Sequence, residues 1–249
     1  MIPKVIHYCW FGGNPLPESA LKCIASWRKY LPDYEIKEWN ESNFDVNIIP
    51  YTREAYEAKK YAFVSDFARF WILYKYGGLY FDTDVEIIKP MDELVAKGPF
   101  MGCEIDAEKN KAIAVAPGLG MGTVPGLIIY QELLNYYKTI HFRTEEGDFN
   151  QTTIVHYTTN ILKKYGLEET PGIQQIAGIY IYPKCYLNPL EDTTGRLNIT
   201  RDTYSIHWYS KTWLDVSPFR IRIARILHRI FGVTFFTRLR SLFKRKNDD

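Results

Sequence analysis

Cysteine is scarce: the 249 residues hold four, Cys9, Cys23, Cys103 and Cys185, and no two are spaced as Cys-x-x-Cys. That scatter argues against a zinc site, a dithiol redox centre or a secreted disulfide framework, and it fits a reducing compartment. No apolar run approaches the roughly 18 residues of a membrane-spanning helix. The opening Met1-Ile-Pro-Lys-Val-Ile-His-Tyr-Cys-Trp10 has no basic region leading into a long apolar stretch and a small-residue cleavage site. No signal peptide is therefore expected, and the cytoplasm is the expected location. Repeats and low-complexity linkers are missing before Ser217, and charge of one sign is nearly absent from the sum, +2. With 46% hydrophobic and 24% charged residues, long disorder and fibrous classes are excluded. A chain of this length can bury a full core as one large domain, with or without a small appendage.

The sum of +2 conceals a division. From Ser217 to Asp249 nine Lys or Arg oppose two Asp, a local +7, which leaves −5 on residues 1–216. An acidic body with a basic tail calls for two readings, a domain over 1–216 and an appendage over 217–249.

Along the body, residues 4–10 form a short apolar run closed by Gly12-Gly13 and Pro15 and read as a buried strand. Pro17 to Tyr30 places Leu21, Ile24 and Trp27 at helical spacing before Pro32, and Tyr34 to Trp39 alternates as a second strand. Strand, helix, strand is the opening of many α/β sheets. The clearest helix is 61–76, with Phe63, Phe67, Phe70 or Trp71, and Tyr74 on one face and Gly77-Gly78 as its stop. Leu79-Tyr-Phe81 follows as a strand, and Val85 to Ile88 is expected to continue extended until Pro90. Beyond it the pattern predicts Gly-rich strands and loops over 98–122, helices near 125–138 and 150–165, and strands near 180–182 and 204–207.

The strongest chemical signal is Gly77-Gly-Leu-Tyr-Phe-Asp82-Thr-Asp84-Val-Glu86. Two aspartates one residue apart at a strand end point to the same side, so both reach one exposed spot at the sheet rim. Paired carboxylates there suit Mg²⁺ or Mn²⁺, with diphosphate oxygens completing the shell. Solvated loop carboxylates are the ordinary alternative for a bare Asp-x-Asp. What separates this instance is its context, a long apolar helix carrying Ser65-Asp66-Phe-Ala-Arg69 that runs into Gly-Gly and an aromatic strand.

These residues carry a family resemblance. Ile2-Pro-Lys-Val-Ile-His-Tyr-Cys-Trp10, Tyr61-Ala-Phe-Val-Ser-Asp66-Phe-Ala-Arg69, Tyr76-Gly-Gly-Leu-Tyr-Phe-Asp82-Thr-Asp84 and Ile206-His207-Trp-Tyr-Ser-Lys-Thr-Trp213 resemble the DXD-containing sugar transferases of glycosyltransferase family 32, of the bacterial capsular or exopolysaccharide type. That family is distantly similar to the glucosyltransferase domain of the large clostridial toxins. The likeness is tight over 1–90 and near 204–213, and loose over 98–200. It implies a GT-A type nucleotide-sugar-binding sheet flanked by helices, a nucleotide-sugar donor with UDP-sugar favoured, Mn²⁺ or Mg²⁺, and transfer with retention. By position it implies that Asp84 ligates the metal and that Asp82 lies between metal, ribose and sugar. Trp10 would stack on the base, Asp66 hydrogen-bond donor hydroxyls, Arg69 meet sugar or phosphate, and Tyr80 face the nucleotide. His207 would close the metal site from a C-terminal loop, with Ser210 a weaker candidate, and Lys211 would neutralise the departing diphosphate.

Each residue also has a plainer reading. Trp10 fits a core strand, and Asp66 with Arg69 at i, i+3 fits a surface ion pair worth about 0.2–0.5 kcal/mol. His7 reads as a hydrogen-bonded core histidine, and His207 could be packed among Trp208, Tyr209 and Trp213. Asp-x-Asp after an apolar strand also occurs in haloacid-dehalogenase-like phosphatases, with the first Asp as nucleophile. That motif continues Gly-Thr on the first strand, whereas Val85-Glu86 follows here. A non-enzymatic membrane scaffold is the remaining rival.

In the tail, Ser217-Pro218 is a helix start. Phe219, Ile223, Ile226, Leu227, Ile230 and Phe231 share one face, and Arg222, Arg225 and Arg229 another. A second stretch after Gly232 mixes Phe235, Phe236, Leu239, Leu242 and Phe243 with Arg238, Arg240, Lys244, Arg245 and Lys246. A basic amphipathic helix reads as a membrane-surface element, each cation near anionic lipid adding about 1 kcal/mol. Packing on its own domain is the competing reading; nucleic acid is disfavoured by the acidic body. The expected partners are a nucleotide-sugar donor, a glycan or lipid-linked acceptor, and an anionic membrane surface met through 217–246. A protein ending at Val216 should lose binding to anionic liposomes in co-sedimentation, and unchanged partitioning would remove the membrane reading.

Overall fold

The computed structural model describes residues 1–210 and 223–228. Lys211, the boundary at 216/217 and most of the basic tail lie outside them. The chain opens with strand β1 (Val5–Cys9), helix α1 (Glu18–Tyr30) and strand β2 (Glu35–Trp39). Helix α1 has Glu18 in its first turn and Arg28 and Lys29 in its last, charges that oppose the helix dipole at each end. Ala20, Cys23, Ile24 and Trp27 form its buried face. Leu21, expected on that face, is 51% exposed.

Helix α2 (Pro50–Glu57) and helix α3 (Tyr61–Tyr76) follow, then strands β3 (Gly78–Tyr80) and β4 (Val85–Ile87) and helix α4 (Asp92–Lys97). Strands β5 (Phe100–Ile105), β6 (Ala114–Val115) and β7 (Met121–Thr123) lead to helices α5 (Ile128–Tyr137) and α6 (Ile154–Lys164). Strands β8 (Gln174–Ile176) and β9 (Ile179–Tyr182), helix α7 (Lys184–Leu187) and strand β10 (Ser205–His207) complete the series. The expected α/β sheet flanked by helices is present. Its main path runs β2-β1-β3-β7-β5-β9-β8 with β6 on β5, while β10 and β4 form a separate antiparallel pair.

β1, β2 and β3 are mutually parallel where they pair. The chain leaves β1 for β2 on one side and returns to β3 on the other, so the order reverses at β1. In open α/β sheets that reversal creates a crevice at the carboxyl ends of the strands, where ligands collect. Trp10 and Asp82 stand just past those ends.

Side chains alternate across the strands as the pleat requires. Ile6, Tyr8, Leu79 and Phe100 pack on one face with Ile24, Trp27, Leu94 and Leu187 from α1, α4 and α7. Cys9, Tyr80, Met101 and Cys103 pack on the other with Phe67, Phe70, Leu133, Tyr137 and Leu162 from α3, α5 and α6. Helix α3 is buried on most of its circumference, Asp66 and Arg69 included. Gly77 at φ 65 and Gly78 at φ 95 then turn the chain into β3. A Cβ at Gly78 would stand 2.6 Å from Val5 O, so the reversal into the parallel register needs glycine there.

The expected extended stretch from Val85 is present as β4, but a turn separates it from β3. Val85 N donates to Asp82 O at 3.0 Å, closing a turn over Asp82-Thr83-Asp84. β4 then leaves the main sheet to pair with β10.

His7 is the core histidine that its surroundings suggest, 2% exposed. Nε2 lies 3.0 Å from Gly77 O and Nδ1 accepts from Trp39 Nε1 at 3.1 Å. Only the neutral ring with its proton on Nε2 satisfies both contacts, because a proton on Nδ1 would face the indole donor. Burial first, and Lys37 also, lower its pKa to about 4 against the opposing hydrogen bond to Gly77. The folded state thus resists a proton that the unfolded chain takes near pH 6.5. Its stability is complete above about pH 6.5 and is lost as pH falls toward 4. Urea unfolding at pH 7 and pH 4 should show the wild type losing about 3 kcal/mol more than His7→Gln.

Candidate functional site

The site grows from the buried end of α3. Arg69 is 4% and Asp66 8% exposed, which rules out a solvated helix pair. Arg69 Nη2 lies 3.0 Å from Asp66 Oδ1, and Nη1 lies 3.2 Å from Asp82 Oδ1. Nε donates to Ser65 O at 3.1 Å. One guanidinium thus joins a carboxylate of its own helix to the first carboxylate past β3. Burial pushes the Asp66 carboxyl up to about 7, Arg69 pulls it down, and Asp82 adds to the rise.

Tyr80 corrects an expectation. It does not face a nucleotide: it is 1% exposed, its ring centroid 4.9 Å from the Arg69 guanidinium. Its hydroxyl donates to Asp82 Oδ1 at 3.2 Å. Strand alternation sends Tyr80 into the core, where it becomes the floor under Arg69 and Asp82. The two charges that needed partners thus have them from inside the protein.

Asp84 belongs to the other side of the turn. Its Oδ1 is 3.1 Å from His207 Nε2. Its Oδ2 accepts from Ser210 N at 2.8 Å and Ser210 Oγ at 2.9 Å, and its backbone oxygen accepts from Trp208 N at 3.0 Å. Burial pulls its pKa upward, but His207 and the two Ser210 bonds outweigh that and hold it well below the usual carboxylate range. His207 shifts upward, the Asp84 charge outweighing desolvation. Ser210, the weaker candidate of the sequence, makes more contacts with Asp84 than any other residue described.

Asp82, Asp84 and His207 each offer a ligand atom, all within 4.8 Å of one another. One ring nitrogen, His207 Nδ1, is buried without a hydrogen-bond partner among the described residues. Two hard carboxylates with one imidazole fit Mn²⁺ or Mg²⁺, oxygen-preferring ions that accept nitrogen. Trp10 is half-buried at the end of β1, its indole N–H donating to Asn14 O at 2.6 Å. Lys211 lies outside the described residues.

One part of the site escaped the sequence. The turn Pro117–Leu119 crosses over Asp82, and Gly118 O accepts from Asp82 N at 3.3 Å. A Cβ on Gly118 would stand 2.2 Å from Asp82 Oδ2. The Pro-Gly inside the Gly-rich 98–122 stretch was the available signal, but nothing local ties it to residue 82.

Residues 17–101, which include Asp82-Thr83-Asp84, match the family described as "Glycosyltransferase sugar-binding region containing DXD motif". Inositol phosphoceramide mannosyltransferase 1 of Schizosaccharomyces pombe is 35% identical over 111 residues, 40% of this chain and 33% of that protein. Inositol phosphoceramide mannosyltransferase 3 of the same yeast is 35% identical over 98 residues, 38% of this chain and 27% of that protein. The likeness therefore spans no more than a third of these relatives' length. Among solved structures, PaToxG Glycosyltransferase is similar with a TM-score of 0.48 at 19% identity, over 66% of this chain and 69% of that one. The chain thus carries a glycosyltransferase sugar-binding DXD region.

Removing the guanidinium leaves the buried Asp66 without its ion-pair partner, beside a half-buried Asp82. Arg69→Ala should lose about 3–5 kcal/mol of unfolding free energy, read by urea denaturation at pH 7; a loss under 1 kcal/mol would show the pair to be solvated.

Proposed function

We propose that the chain is a metal-dependent glycosyltransferase. It moves a hexose from a nucleotide diphosphate sugar to an acceptor hydroxyl with retention of the anomeric configuration. The observation that carries this reading is the convergence of Asp82, Asp84 and His207 at the β1/β3 crevice, with both aspartates inside the region that matches the DXD family. A UDP-sugar is the favoured donor, and the names of the yeast relatives add a mannosyl nucleotide to the candidates. Those names also give a lipid as the molecule acted on, which supports a lipid-carried acceptor here. With the basic tail, that suits a cytoplasmic enzyme attached peripherally to the inner face of the membrane and building surface polysaccharide.

Asp82, Asp84 and His207 would hold Mn²⁺ or Mg²⁺. When bound, the ion supplies positive charge to the diphosphate leaving group as the anomeric bond breaks. The residues of the chain do the rest. Asp66 is aimed by Arg69 so that its remaining oxygen can accept a hydrogen bond from a donor hydroxyl. Arg69 acts through the two carboxylates, since both Nη atoms are engaged within the protein. Trp10 offers a ring at the crevice mouth for the base, and Lys211 is a candidate cation for the diphosphate. The acceptor hydroxyl attacks the face that the diphosphate leaves, and a departing phosphate oxygen takes its proton.

Incubation of the pure protein with Mn²⁺ and a panel of UDP-glucose, UDP-galactose and GDP-mannose, scored by donor hydrolysis, needs no acceptor. At least one donor should be hydrolysed in a Mn²⁺-dependent manner, with Asp84→Ala reduced by more than 100-fold. Hydrolysis at the wild-type rate in Asp84→Ala would overturn the assignment.

A further inference from the structure

A histidine that ligates a metal is usually aimed by a second bond from its other ring nitrogen to a carboxylate, carbonyl or water. His207 lacks that device among the described residues, since Nε2 meets Asp84 and Nδ1 is buried without a hydrogen-bond partner. A ring instead fills the space beside it. The centroid of Tyr209 is 4.3 Å from that of His207, with the planes at 73°. The edge-to-face contact fixes the tilt of the imidazole by packing.

Tyr209 is held in this position at two ends. Its backbone has φ 51, a strained left-handed conformation uncommon for a residue with a side chain. At the far end its hydroxyl accepts from Asn188 Nδ2 at 2.5 Å. Asn188 is fully buried just past α7. A strained backbone persists where the surroundings over-determine it, and here the phenol is held by Asn188 at the end of α7 while its ring packs on His207.

We propose that Tyr209, clamped by Asn188, is a positioning residue that sets the His207 imidazole against Asp84 and so fixes the third corner of the metal site. This rests on the reading of Asp82, Asp84 and His207 as a metal site. The role requires the hydroxyl, because the ring without its clamp can swing away from His207. It also explains a buried polar contact between two residues 21 apart in the chain, which would otherwise be costly to maintain.

The test is Mn²⁺ affinity of the donor-free protein, read by electron paramagnetic resonance titration, with folding of each variant checked by circular dichroism. Tyr209→Phe should fold like the wild type and bind Mn²⁺ about 10-fold more weakly, the usual scale for an outer-shell partner. Asn188→Leu, which removes the amide donor at similar volume, should weaken binding in the same way and stands in should Tyr209→Phe misfold. Asp84→Ala should lose binding altogether. Wild-type affinity in both folded variants beside a loss in Asp84→Ala would overturn the positioning role and leave the metal site standing. Wild-type affinity in Asp84→Ala would overturn both.

Discussion

Arg69 is the charge around which the site is built. A guanidinium in the interior is tolerable only if carboxylates meet it in good geometry, and Asp66 and Asp82 do so at 3.0 and 3.2 Å. That requirement fixes the depth of α3 against β3, because Asp66 and Arg69 ride on the helix while Asp82 arrives from the strand. The glycines serve the same closeness. Gly77 and Gly78 bring the helix end back onto β1 within one reversal, and Gly118 lets a turn lie directly on the Asp82 carboxylate. Larger residues at these positions would separate what Arg69 joins.

The aspartates of the motif face different structures. Asp82 is held by the main sheet and α3 through Arg69 and Tyr80. Asp84 is held by His207 at the end of β10 and by Ser210 just after it. The turn between them is the joint where the large sheet hands over to the β4–β10 pair, whose register sets Val85 opposite His207. Asp82, Asp84 and His207 would hold an ion only together, so the site depends on both units.

The local part of this design was legible in the sequence. Helix α3 has the expected bounds because its end is marked by Gly-Gly, and Asp66, Arg69, Asp82 and Asp84 could be grouped from spacing within one short stretch. Helices α2 and α4 were not read, being eight and six residues long, too short for a helical period to emerge. Pairing at long range was equally hidden. Asn188 with Tyr209, Gly118 with Asp82 and Asp106 with Lys184 N lie on separate elements, and no periodicity connects them. Ser210 was undervalued for a related reason, since one of its two bonds to Asp84 uses a backbone N–H that no sequence pattern displays. The motif itself converges through a turn and not through strand alternation, a case in which the expected outcome has a different geometric cause.

The tail is where the charge asymmetry becomes structural. Within helix 223–228, Arg225 Nε donates to Asp192 O and Nη2 to Asp192 Oδ1, both at 3.0 Å. Ile223 and Ile226 remain 40% and 46% exposed. A helix that merely completed the core would turn its isoleucines inward and its arginine out. Here the arginine is spent on the acidic body, in the loop that follows Asn188, and the isoleucines face away from it. Arg225 is therefore better understood as a tether than as a lipid contact. The ion pair holds the helix by its Arg225 edge to the loop after Asn188, and Ile223 and Ile226 stay exposed.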